Sequence, residues 1–153
     1  MESRYLTIAQ LQSRLDGGGP ALSTYRDAGS NGRTLLHWAS FDNNPTKVAW
    51  LIDHGGLDVN ATADNGDTPA VDAVRIGAIE ALKELMRRGS QPPLRQLILE
   101  GQGELAFFAD ANERFQNDRL NQENLQRAVA MSAFLHGLLF ASDALIGTLE
   151  LLN

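Results

Sequence analysis

The sequence predicts an all-α fold: a short solenoid of stacked helix pairs closed by a C-terminal helical cap. Three observations carry that expectation. Gly32-Arg33-Thr34-Leu35-Leu36-His37-Trp38-Ala39 is echoed by Gly66-Asp67-Thr68-Pro69-Ala70-Val71-Asp72-Ala73, an offset of 66 − 32 = 34 residues, and the same offset relates Leu51-Ile52 to Leu85-Met86. Apolar residues between these anchors keep helical spacing, with Leu36, Ala39, Val48, Leu51 and Ile52 in the first unit and Ala70, Ala73, Val74, Leu82, Leu85 and Met86 in the second. Each unit therefore reads as two short helices with one apolar stripe apiece. Gly55 and Gly89 fall where the second helix of each unit should stop, because glycine adopts the left-handed C′ conformation at little steric cost.

Taken in order, Ile8, Leu11 and Leu15 before Asp16-Gly17-Gly18-Gly19-Pro20 predict an amphipathic helix with a glycine stop. The two central units follow. Gly-Arg-Thr-Leu-Leu-His-Trp-Ala at 32–39, with the loop Gly55-Gly56-Leu57-Asp58-Val59-Asn60-Ala61, resembles the ankyrin repeat, whose opening is Gly-x-Thr-Pro-Leu-His-x-Ala and whose loop is Gly-Ala-Asp-Val-Asn-Ala. The second unit keeps Thr68-Pro69 and Ala73 but has Val71 where the family has histidine, so its local hydrogen bonds must differ. Pro93-Leu94-Arg95, followed by Gly101-Gln102-Gly103-Glu104-Leu105-Ala106, keeps the spacing of a degenerate further repeat, with the glycines at a turn between two helices.

The expected organisation is one domain over 1–153. It comprises an N-terminal capping helix region at 5–29, repeats at 30–62 and 63–91, a degenerate repeat at 92–115 and C-terminal helices at 116–153. Leu125–Leu135 and the residues on to Leu152 are apolar around most of a helix, with a break expected at Gly137 and a restart near Ser142-Asp143. Such a segment must bury more than one face. It either caps the stack or pairs two chains, so the oligomer is a monomer or a homodimer through these helices.

Composition narrows the function. The 153 residues carry 13 Lys plus Arg against 19 Asp plus Glu, a net charge of −6. That balance argues against nucleic acid, whose phosphates are neutralised by Lys and Arg, and is compatible with a basic protein partner. With no cysteine there is no disulfide, thiolate metal site or cysteine nucleophile, which fits a reducing cytoplasm. The N-terminus lacks the basic start and apolar stretch of a secretory signal. The longest uncharged stretch, Ala128 to Ser142, is too short for the roughly 20 apolar residues that span a bilayer.

The motifs that could carry chemistry have plainer explanations. Thr34 and His37 in ankyrin proteins satisfy backbone groups in a tight turn, and the resemblance implies that role here. Ser132, His136 and Asp143 share one helical face, but no glycine elbow or oxyanion hole accompanies them. Gly101-Gln102-Gly103-Glu104-Leu105-Ala106 has the outline of a dinucleotide turn without the second strand of a βαβ unit. Counted from Asp58, the sixth and twelfth positions are Ala63 and Pro69, where a calcium loop needs glycine and glutamate. No enzyme, metal or other cofactor is implied.

The resemblance implies protein binding through the loops, or fingers, and the inner helices. The contacts it suggests are Arg33, Trp38, Phe41, Asp64, Asn65, Asp67, Asp72 and Arg75. Trp38 is the strongest candidate anchor, since interface energy concentrates in Trp, Tyr and Arg. Phe41 could serve contact or packing, and Trp50 aligns with a core position. Arg75, Arg87 and Arg88 form the densest basic group, which could meet an acidic partner or simply solvate helix ends. Binding of this kind could inhibit a partner, as an immunity protein does, or recruit one, as an adaptor or effector does.

Overall fold

The computed structural model describes residues 5–114 and 119–150, with side chains described outside 112–118 and 142–150. Within those residues the regular structure is seven α-helices, with two short 3₁₀ turns and no strand: α1 (Ile8–Asp16), α2 (Leu35–Phe41), α3 (Pro45–Asp53), α4 (Pro69–Ile76), α5 (Ile79–Arg87), α6 (Leu94–Arg114) and α7 (Arg119–Glu150). The predicted all-α repeat architecture is what the chain adopts. Two compact units are resolved. One runs up to Ala73 and takes in Ala78–Pro92, and the other takes in Val74–Gly77 and the chain from Pro93 on.

In the first unit the starts of α1 and α3 have local causes, and that of α5 has a distant one. Thr7 opens α1 with a capping box, its Oγ1 accepting from the Gln10 amide at 3.3 Å while Gln10 Oε1 accepts from the Thr7 amide at 2.9 Å. Asn44 Oδ1 accepts from the Lys47 amide at 2.9 Å and Pro45 takes the first helical position of α3, where its missing N–H costs nothing. Asn43, with φ 49°, turns its amide oxygen onto the Ala81 amide at 3.0 Å and so caps α5 from the preceding repeat.

Burial follows the predicted stripes except at Ile52 and Met86, which are half-buried. α3 packs against α2 and α5, and Leu35, Leu36, Ala39, Val48, Leu51, Ala81, Leu82 and Leu85 are fully buried. A helix of seven to nine residues is marginal alone, so this shared seam is what makes α2, α3 and α5 persist. Trp50, expected in the core, is only half-buried and stacks on His54 with ring centroids 5.7 Å apart.

One glycine assignment needs correction. Gly89 does take the left-handed conformation, with φ 93°, but after α3 it is Gly56 and not Gly55 that does so, with φ 65°. The cause is the extra residue in this loop. Gly55 is needed for another reason, because a Cβ there would lie 2.6 Å from the Leu51 carbonyl oxygen.

The second unit pairs α6 with α7. Leu97, Met131 and Leu135 are fully buried, with Ile98 and Ala128 beside them. α6 runs without interruption through Gly101 and Gly103, where two short helices and a turn were expected, and α7 likewise passes through Gly137. A helical glycine costs only about 1 kcal/mol relative to alanine, which apolar packing exceeds. Gly101 also faces the partner helix: a Cβ there would meet Leu135 at 3.2 Å.

Candidate functional site

The junction between the two central repeats holds most of the polar residues singled out above. Thr34 Oγ1 accepts from the Leu36 and His37 amides at 3.2 and 3.4 Å, capping α2. His37 Nδ1 accepts from the Thr34 amide at 3.2 Å and lies 2.8 Å from Thr34 Oγ1. That leaves Nε2 as the protonated nitrogen, and it donates to the Asp67 carbonyl at 3.0 Å. The histidine is fully buried and ties the first repeat to the second. Its work is structural, as the resemblance implies.

Burial lowers the His37 pKa below its ordinary value, the hydrogen bond to Asp67 and the Asp72 charge opposing that shift and Arg33 and Arg26 assisting it. The unfolded chain therefore binds a proton that the folded chain does not, once the pH falls below about 6.5. Stability from this group is full above that pH and is lost as the pH falls toward the folded value. Urea unfolding at pH 7.5 and 5.5 is expected to show the midpoint dropping on acidification, with this dependence largely absent in His37→Gln. An unchanged dependence in the variant would show that another group carries the proton.

Arg33, Asp67 and Asp72 come together beside this histidine. Arg33 Nε and Nη2 donate to the two Asp72 oxygens at 2.8 and 2.9 Å, and Nη2 also donates to Asp67 Oδ2 at 3.1 Å. The Arg33 side chain is 16% exposed and the carboxylates 9% and 4%. Asn65 Nδ2 donates to the same Asp67 oxygen at 2.7 Å. Three of the suggested contacts thus face one another across the repeat junction. This cluster was not visible in the sequence, where its members stand 34 and 39 residues apart.

Asp64 and Asn65 sit exposed at the tip of the finger, which the Ala63 amide closes on the Asp67 carbonyl at 2.8 Å. The Asp64 amide donates to the Asn31 carbonyl at 2.7 Å, so this finger leans on the preceding loop. Arg75 is placed elsewhere, in the second unit, where its Nε meets Glu100 at 3.3 Å. Nearby, burial raises the Glu104 pKa, Arg75 counteracting and Glu100 adding to that effect. Of the other basic residues, Arg87 and Arg88 both pair with Glu84, and Arg88 also with Asp53.

The aromatic candidates form a ledge at the end of α2. Trp38 is half-buried and Phe41 is 43% exposed, their rings edge to face with centroids 6.0 Å apart. Tyr5, which sequence reasoning missed because nothing in its neighbourhood repeats, lines a cavity of about 240 Å³ together with Trp38, Phe41 and Asp42. A larger cavity beside it, about 570 Å³, is bounded by Tyr5, Thr7, Asp42, Asn44, Thr46 and Lys47 among others. Lys47 is buried, and its desolvation lowers its pKa while the Asp42 charge partly restores it.

Of Ser132, His136 and Asp143, already set aside as a nucleophile arrangement, only the first two have described side chains. His136 Nδ1 donates to the Ser132 carbonyl at 2.7 Å, a bond along its own helix, and the Asp143 side chain lies outside the described residues.

Comparison with known proteins agrees with the repeat geometry. The family model described as ankyrin repeats matches residues 7–96 in three copies, taking in the N-terminal segment as well as the two central units. Over 61 residues the chain is 36% identical to a protein of Danio rerio named "Putative palmitoyltransferase ZDHHC13". That match covers 40% of this chain and 10% of the fish protein, so the chain spans only a small part of that relative's length. With the family model covering more than half of its residues, and with helix pairs locked by the Thr34–His37 turn, the chain belongs to the ankyrin-repeat family.

Proposed function

We propose that the chain binds a protein partner through the Trp38–Phe41 ledge and the Asp64-Asn65 finger tip, and inhibits that partner by covering its surface. The ankyrin repeats indicate a protein-interaction module. What carries the choice of surface is Phe41, a large aromatic left 43% exposed against Trp38. Burying such a ring on binding removes water from apolar area at roughly 25 cal/mol per Å². The finger tip adds negative charge, which suits a basic partner in keeping with the net charge of −6.

Arg33, Asp67 and Asp72 tie the base of the finger to the start of α2 and to α4. Trp38, Phe41, Asp64 and Asn65 are the residues proposed to touch the partner. The activity is non-enzymatic and the setting cytoplasmic in this reading. No described helix is long and apolar enough to cross a membrane.

An adaptor role is favoured by a different observation. In the second unit Leu99 and Phe107 on α6 are 69% and 64% exposed, which offers a separate surface for a further protein or for a second copy of the chain.

Affinity capture from native lysate, followed by reconstitution with the purified partner, tests the proposal. One stoichiometric complex that silences the partner's activity is expected, and Phe41→Ala and Asp64→Lys should each weaken it about tenfold or more while the variants remain folded by circular dichroism. A partner that binds both variants as tightly as the parent would place the interface elsewhere, and several partners that stay active when bound would favour the adaptor.

A further inference from the structure

We infer that the corner formed by Tyr5, Trp38, Phe41 and Asp42 receives the cationic head of a lysine side chain presented by the partner protein, and that methylation of that head strengthens the contact. The inference rests on the protein-binding reading and deepens it by naming the chemical group recognised.

Among the described residues, the 240 Å³ cavity is lined by three aromatic residues and one acidic one. The Trp38 and Phe41 rings meet edge to face with their planes at 71° to one another, and both border the cavity with Tyr5, itself 71% exposed. An aromatic face is electron-rich and attracts a cation held within about 6 Å of its centre. Asp42 adds a full negative charge at the same place.

Alternative guests fit this lining less well. An anion would be repelled by the ring faces and by Asp42. A purely apolar group would suit the rings but would strip water from the Asp42 carboxylate without replacing it. A guanidinium is planar and stacks best on a single ring, whereas rings set at a steep angle suit a rounded head. An ammonium meets every requirement, and alkylation removes part of its hydration while keeping its charge. Lys47 does feel the Asp42 charge, but it borders the larger neighbouring cavity and not this one.

The test uses the full chain, labelled with nitrogen-15, and three short peptides that differ at one side chain: lysine, trimethyllysine, and the neutral analogue in which the quaternary nitrogen is carbon. The expected result is that the trimethyllysine peptide shifts the assigned Trp38 indole resonance. Lysine should do so more weakly, and the neutral analogue roughly tenfold more weakly than trimethyllysine. Phe41→Leu and Asp42→Asn, both at exposed positions and checked for folding by circular dichroism, should each weaken the trimethyllysine shift. A neutral analogue that binds as well as the cation overturns the inference, as does a response confined to Trp50 or no response to any peptide at millimolar concentration. If the peptides fail while a captured partner still depends on Phe41 and Asp64, the inference falls and the binding reading stands. A captured partner indifferent to both residues would remove the two together.

Discussion

Replacing Arg33 with methionine is expected to lower the unfolding free energy by about 3–5 kcal/mol, the usual consequence of leaving buried charge without its counter-ion. Asp67 and Asp72 are 7% and 3% exposed as whole residues, so water cannot take over the role of the guanidinium. The side chain bonds both Asp72 oxygens as well as Asp67, and one substitution therefore takes this cation away from two carboxylates at once. A methionine of similar length keeps most of the packing, which isolates the charge effect. Chemical denaturation followed by circular dichroism measures it directly. Removing all three charges together, with apolar residues of matching volume, should cost far less than the single change, because a buried ion pair is near neutral against a well-packed apolar substitute. A loss below about 1 kcal/mol for Arg33→Met would mean that the cluster is hydrated in solution and does not hold the junction.

Leu51→Ala is expected to cost about 2–5 kcal/mol. Leu51 is fully buried in α3, the helix that packs on both α2 and α5. Truncation removes apolar contact at the shared seam and leaves a cavity that rigid neighbours such as Leu36 and Leu82 cannot fill without moving. The contrast is Leu99→Ala, at a position 69% exposed, which should change stability by no more than about 0.5 kcal/mol. Equal effects at the two sites would contradict the seam as the source of stability in the central repeats.

What could be read from the sequence was whatever had a local cause or a repeated one. The Thr34–His37 turn was legible because its bonds span three residues and its motif is specific. The seam was legible because helical spacing marks the buried positions of both repeats in the same way. Gly56 was misplaced because one inserted residue moves the left-handed position along the loop while leaving the glycine pattern superficially intact. The breaks expected at Gly101 and Gly137 failed for another reason. Glycine weakens a helix without ending it, and the contact of Gly101 with Leu135 depends on a partner 34 residues away in sequence.

The candidate site was less legible than the fold. Arg33, Asp67 and Asp72 were picked out as partner contacts that the resemblance implies, and only three-dimensional placement shows that they face one another. Phe41 stood undecided between packing and contact until its exposure was known. Tyr5 has no equivalent elsewhere in the chain, so no pattern could connect it to a tryptophan 33 residues further on.

Arg33, His37 and Asn43 fasten the first repeat to the second from the upstream side, and Arg88 does so from the downstream side by meeting Asp53. Shifted by 34, the three upstream positions become Asp67, Val71 and Gly77, and none of the three can reproduce the bond its counterpart makes. That upstream share of the adhesive chemistry is therefore spent after a single use. A further copy of the same unit would find neither the two donors nor the acceptor that these three positions supply, and the chain past Leu94 is a single long helix instead of a helix hairpin.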